Sequence, residues 1–152
     1  MEKTIALACD HAGIDLKPHV MAVLEELGYE CRDFGTHTHE SVDYPVYGAR
    51  AAQAVAKREC SQGIVLCGTG VGISMAVSKV PGIRCVVCSE PYSAAMSRQH
   101  NDANMLALGA RVVGSELAKL IVQTWLTTNF DGERHVRRVE QIMALEHGES
   151  LE

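Results

Sequence analysis

The sequence predicts a three-layer α/β/α sandwich built on a five-stranded parallel sheet. Three observations predict it. Short apolar runs alternate along the chain with stretches whose apolar residues recur at helical spacing. The runs are near-continuous in apolar residues, as in strands covered on both faces. Each is followed by enough chain for the helical crossover that parallel neighbours require. With 152 residues, 47% hydrophobic and 22% charged, the chain suits one domain over 1–152. At that size roughly 70% of the unfolded surface can be buried, so no disulfide or metal staple is needed.

Taken in order, Thr4 to Cys9 is an apolar strand, and Leu16, Val20, Val23, Leu24 and Leu27 follow at helical spacing with Gly28 as a stop. Tyr29 to Phe34 reads as a second strand, and Gly35 to Asp43 as a polar loop. Pro45, whose ring suits a first helical turn, opens a helix to about Lys57. Gly63 to Cys67 is a buried strand, followed by a glycine loop and a helix from Ile73 to Lys79 that Pro81-Gly82 ends. Ile83 to Cys88 makes a fourth strand, Pro91 to about Asn101 a helix, and Met105 to Leu108 a fifth strand. Ser115 opens a helix through Trp125, and a C-terminal helix spans about 133–146. In such a Rossmann-like sheet, ligands sit beyond the carboxyl ends of the strands. Asp10-His11, Cys67 to Gly72, Ser89-Glu90 and Gly109 to Arg111 should therefore converge on one edge.

Charge and composition exclude several classes. Nineteen acidic residues against fourteen Lys and Arg give a net charge of −5, the wrong sign for a general nucleic-acid binder or a surface drawn to anionic lipid. An anionic ligand would need a local basic pocket. The start, Met1-Glu2-Lys3-Thr4 and a short apolar run, lacks the core and cleavage pattern of a signal peptide, so the expectation is a cytoplasmic protein. Nineteen uncharged residues from Cys60 to Ser78 could suggest a membrane span, but Gln62, Thr69 and four glycines interrupt them.

The strongest chemical signal is Cys67-Gly68-Thr69-Gly70-Val71-Gly72. Three glycines directly after a buried strand let successive backbone N–H groups converge at a helix start, a cradle for an anion; a plain tight turn is the alternative. A dinucleotide fingerprint would need Gly at Ile73, and no Gly-Lys-Ser/Thr triplet marks a nucleotide P-loop. A phosphatase loop would need Arg at that same position. Cys67 opens the cradle, where the helix dipole and amides favour a thiolate. It reads as base, nucleophile or buried apolar strand end.

Other candidates are weaker. Cys85 and Cys88 stand three apart within a strand, on opposite faces, where they cannot pair. His37-Thr38-His39-Glu40 has no partner cluster and reads as a solvated loop rather than a metal site. Asp10-His11 ends the first strand, as ligand contacts or as a helix cap. His100-Asn101-Asp102 ends a helix carrying Arg98. Arg134 and Arg138 stand four apart on one helical face, where guanidiniums could grip a phosphate or pair with Glu133 and Glu140 in solvent. Asp33, ending the second strand, leaves open a nucleotide-binding module whose acid would hold a ribose.

Five ordered motifs, Cys9-Asp10-His11-Ala12-Gly13, Asp43-Tyr44-Pro45, Cys67 to Gly72, Arg98-Gln99-His100-Asn101 and Gly132 to His135 with Arg138, resemble the ribose-5-phosphate isomerase type B family, which also holds galactose-6-phosphate isomerase subunits. The likeness runs from the first strand to the last helix. It implies a metal-free, cofactor-free aldose–ketose isomerase that interconverts ribose 5-phosphate and ribulose 5-phosphate through a cis-enediolate. The resemblance makes Cys67 the base, assisted by Thr69, with Gly68, Gly70, Val71 and Gly72 sheltering the enediolate charge. Some relatives use a carboxylate six positions later; Ile73 stands there, which fits the cysteine version. His100 would open the furanose with Asp10 near the ring oxygens, and Asn101 would hold the sugar. His11, Arg111, Arg134 and Arg138 would grip the phosphate. The resemblance also implies a homodimer or homotetramer with a shared active site, taking His100, Asn101 and Arg111 from a neighbouring chain. The remaining readings are an isomerase of allose or galactose 6-phosphate and a non-catalytic sugar-phosphate binding subunit.

Overall fold

The computed structural model describes residues 3–152; Met1 and Glu2, part of the leader argument above, lie outside the described residues. The elements run β1 (Thr4–Cys9), a single 3-10 turn (Ile14–Leu16), α1 (Lys17–Glu26), β2 (Glu30–Asp33), α2 (Tyr44–Ala56), β3 (Gln62–Cys67) and α3 (Val71–Ser78). They continue with β4 (Cys85–Val87), α4 (Pro91–Asn101), β5 (Met105–Gly109), α5 (Ser115–Leu126) and α6 (Arg134–Glu146). The five strands form one parallel sheet in the order β2-β1-β3-β5-β4.

The two-residue period of the strands sorts the core into two layers. Ile5, Leu7, Ile64, Leu66, Leu106 and Leu108 face α1, α4 and α5, where Val20, Leu24, Ile121 and Trp125 complete a large-residue core. Ala6, Ala8, Val65 and Ala107 face the other way, against Ala51, Ala52 and Val55 of α2 and Ile73 and Val77 of α3. Small side chains on both partners let α2 lie close over β1.

The elements match the expected sequence of strands and helices, with two corrections. The fourth strand is shorter than 83–88: Cys88, whose N–H still donates to the Ala107 carbonyl, lies just past its end and buries in the large-residue layer, while Cys85 packs toward the opposite layer. β2 and β4 are edge strands with one neighbour each. Their burial is therefore partial, and Glu30-Cys31-Arg32-Asp33 alternates rather than running apolar. None of the helices among the described residues is long and apolar enough to cross a membrane.

In this topology α2 and α3 start at the carboxyl edge of the strands, and the chain runs from β1 to β2 in one direction and from β3 to β4, then back to β5, on the other side. The crevice between β1 and β3 at that edge is where a ligand finds the ends of both strands. Asp10 leaves β1 there and Cys67 leaves β3.

Candidate active site

A cleft of about 370 Å³ opens at this crevice, lined by Asp10, His11, Ala12, Tyr44, Cys67 to Thr69, Val71, Gly72 and Arg111. Its floor is the end of β3. Cys67 is only 4% exposed, and its Sγ accepts the N–H of Gly70 at 3.1 Å. Gly70 takes φ of +80°, and a Cβ there would stand 2.9 Å from Val87 Cγ2 and 3.0 Å from the carbonyl carbon of Leu108. Only glycine meets both demands, which is the local reason the chain can turn from strand into α3 over so short a loop.

Thr69 is exposed at the rim; its Oγ1 accepts the N–H of Val71 at 3.2 Å and makes no bond to the sulfur. The first amides of a helix have no partner within it. Here Ser74 is satisfied by Gly70 O, and Val71 by Thr69, whereas the N–H groups of Gly72 and Ile73 have no partner among the described residues. The cradle thus offers open donors one residue further along than the run of glycines suggests.

Asp10 is buried, and its Oδ1 accepts the N–H groups of Ala12 and Gly13, both at 2.9 Å. It caps the turn after β1 and lines the cleft at once, with Oδ2 free of hydrogen bonds among the described residues. His11 Nδ1 accepts the N–H of Val42 at 3.1 Å. That bond fixes the tautomer, placing the ring's donor on Nε2. Arg111 lies across the loop: its guanidinium passes 3.3 Å from where a Cβ on Gly68 would stand, and its backbone N–H donates to Gly68 O at 3.0 Å.

Arg111 therefore belongs to the cleft of its own chain. The expectation that a neighbouring chain supplies it is corrected, because the strand-to-loop step after β5 lies beside the loop after β3: Cys67 and Gly109 are partners in the ladder. Tyr44 is the cleft residue to which no role was given from the sequence. Its ring meets Gly72, where a Cβ would come within 2.6 Å of the Tyr44 ring carbon Cζ. The glycine was legible; the aromatic wall that needs it was not.

The other expected residues gather elsewhere. α4 runs from the carboxyl edge back to the amino edge, so His100 and Asn101 sit near the start of β5, about 13 Å of strand away from Cys67 at ~3.3 Å per residue. Arg98 donates to Asp102 Oδ1 and to the carbonyls of Ala103 and Thr128, and Arg84 donates to those of Asn101 and Asp102. These bonds pin the end of α4, while the Asn101 side chain is exposed and unbonded. His100 stacks on His135, ring centroids 4.2 Å apart and planes 11° from parallel. His135 is the second residue of α6, so the exposed Arg134 and Arg138 lie on this same side of the molecule. The grip of His11, Arg111, Arg134 and Arg138 is split within one chain.

Two further expectations resolve. Asp33 is taken: Lys17 Nζ donates to both its oxygens at 2.9 and 3.0 Å, and Gly35 N–H to Oδ1, which removes the acid a ribose would need. Glu90 reaches the carboxyl edge but caps α4, its Oε2 accepting the N–H of Ser93 at 2.9 Å, and does not line the cleft. In the 35–43 loop His39 pairs with Asp15 at 2.8 Å.

Residues 5–142 match the family described as Ribose/Galactose Isomerase. The chain is 57% identical over 144 residues to ribose-5-phosphate isomerase B of Escherichia coli (strain K12), covering 95% of this chain and 97% of that one. Its fold is similar to that of Clostridium thermocellum ribose-5-phosphate isomerase B, with a TM-score of 0.93 at 54% identity, covering 95% and 98% of the two chains. It is also similar to Mycoplasma genitalium ribose-5-phosphate isomerase B with bound ribulose-5-phosphate. That match has a TM-score of 0.90 at 36% identity and covers 95% and 96%.

Proposed function

The chain belongs to the ribose/galactose isomerase family, and on that premise we propose that the Cys67 cleft carries out the proton transfer of an aldose–ketose isomerisation. The enzyme interconverts ribose 5-phosphate and ribulose 5-phosphate. The observation that carries the assignment of the base is the Cys67 sulfur at the cleft floor, with amide donors on one side and the Arg111 guanidinium and the His11 imidazole at the rim.

The Cys67 thiolate removes the proton from C2 of the open-chain aldose. The C–H pair forms the C1–C2 double bond, and the carbonyl electrons move onto O1. The thiol then returns the proton to C1 while the O2 proton passes to O1, so that C2 becomes the ketone and C1 a hydroxymethyl group. Charge on the enediolate is met by the free N–H groups of Gly72 and Ile73 at the start of α3, whose dipole has the same sense. Thr69 stands at the rim, where its hydroxyl can pass a proton to a sugar oxygen. Arg111 and the Nε2–H of His11 hold the phosphate.

His100 protonates the furanose ring oxygen as Asp10 draws the proton from the C1 hydroxyl, and Asn101 holds the opened sugar. In one chain His100, Asn101, Arg134 and Arg138 lie at the edge opposite Cys67. The reading is therefore a homodimer or higher assembly in which a neighbour's α4 and α6 close the cleft and complete the phosphate grip. The reaction needs no redox or Lewis-acid step, and its thiol must stay reduced, which suits the cytoplasm.

The test is Cys67→Ala assayed for ribose 5-phosphate turnover, for solvent-hydrogen incorporation at C1 of ribulose 5-phosphate, and for binding by calorimetry. Turnover and incorporation should fall together by about 10²–10⁴-fold, the usual contribution of a positioned base, with affinity kept. Incorporation at the wild-type rate would assign the base elsewhere.

A further inference from the structure

His135 is the single buried residue of α6 among its described residues, 6% exposed, in a helix otherwise turned to solvent. A histidine is a poor choice for filling a small gap. Its ring makes no hydrogen bond among the described residues and stacks on the parallel face of His100, ring centroids 4.2 Å apart. The surrounding backbone is built to hold that contact. Gly132 and Glu133 take φ of +70° and +52° to start α6 abruptly, and the Asp131 N–H donates to the Gln99 carbonyl at 3.0 Å, one residue from His100. The start of α6 is thus stitched to the end of α4.

We propose that His135 is a positioning residue: its imidazole, stacked on His100, fixes the plane in which His100 delivers a proton to the sugar ring oxygen. This inference rests on the reading of His100 as the ring-opening acid. Without the stack, the His100 side chain at a helix end keeps free rotation about two torsions. With it, the ring is held flat against a buried partner. Burial first, and then the nearby His100, Arg134 and Arg138, push the pKa of His135 below the usual histidine value and so favour the neutral ring, against a weaker pull upward from Asp131. A neutral neighbour does not oppose the charged form that His100 must take to donate.

The two substrates separate this role from folding. Ribose 5-phosphate is mostly a furanose and must be opened, whereas ribulose 5-phosphate has its would-be ring oxygen phosphorylated and is always open. Hydrogen exchange from solvent into C1 of the ketose therefore reports the chemistry at Cys67 alone, and aldose conversion reports ring opening as well. In the full-length enzyme, His135→Ala should lower aldose conversion by about tenfold or more while ketose exchange falls far less, since a misplaced acid costs up to about 10²-fold. His135→Phe, which keeps a flat ring, should restore conversion to within about threefold.

His100→Ala is run beside them. If it too loses conversion more than exchange, while His135→Ala loses both equally or neither, His135 is only packing and the proposal is overturned. If Phe fails to restore what Ala loses, the stack is not the cause and the proposal is likewise overturned. If His100→Ala loses conversion and exchange in equal measure, the ring-opening reading itself fails, and this inference with it.

Discussion

The sulfur of Cys67 and the amide of Gly70 are 3.1 Å apart, and the bond between them exists because Gly70 holds a left-handed backbone. Gly70→Ala should therefore damage fold and chemistry together. The strained φ and the approach to Val87 and Leu108 should cost about 1–3 kcal/mol, measurable by urea unfolding, and kcat should drop as the cradle shifts. Gly82→Ala is the control: Gly82 also has a positive φ, of +92°, but no atom within 4 Å of its Cβ position. It should lose stability without losing kcat.

The six thiols divide by environment. Burial pushes Cys9, Cys31 and Cys88 up to about 11 and Cys85 to about 12, and raises Cys60 as well. Cys67 lines the open cleft. Iodoacetamide at pH 8 should label Cys67 first, with ribose 5-phosphate protecting it; mass spectrometry of the peptides reads the order. The same shifts set alkaline stability. Between 9.0 and about 11 the unfolded chain releases thiol protons that the native state keeps, so stability declines as pH climbs through that window. Unfolding midpoints that rise from pH 9 to 11 would contradict this.

Lys17 is 6% exposed and holds Asp33 with two bonds while also donating to the Thr36 carbonyl. Removing the cation alone leaves a partly buried carboxylate with the Gly35 amide as its hydrogen-bond donor and the His37 ring 3.7 Å away. Lys17→Met should cost about 2–4 kcal/mol, somewhat under the full value for a buried pair because Asp33 keeps some solvent contact. The double variant with Asp33→Asn should recover part of that loss. Both are read by chemical denaturation, and a single variant as stable as wild type would mean the pair contributes nothing.

Local chemistry was legible in the sequence where one residue type has one use. Pro91 after an apolar run, the glycines after Cys67 and the alternation of apolar runs with helical spacing place the strands, the cradle and the helix starts to within a residue or two. What needs a partner far along the chain was not legible. Nothing local tells Ser89-Glu90 to cap a helix rather than face a ligand. Nothing local tells Asp33 that Lys17, sixteen residues earlier, will claim it. Arg111, Arg134 and Arg138 look alike as anion ligands. Only the ladder pairing Cys67 with Gly109 and the return of α4 to the opposite edge separate the first from the other two. His135 stood in the motif Gly132 to His135 but had no role of its own there, because its partner is a ring on another helix.

That separation leads to a sharp expectation about assembly. If each cleft is completed by a neighbour's His100, then Cys67→Ala and His100→Ala break different halves of every site. Each variant alone is inactive toward ribose 5-phosphate. Mixed, unfolded and refolded together, they should form hybrid dimers in which one site carries both lesions and the other carries none. Random pairing in a symmetric dimer makes half the molecules hybrid with one good site of two, so activity should return to about a quarter of wild type. If each site lay within one chain, every site would keep a lesion and mixing would restore nothing.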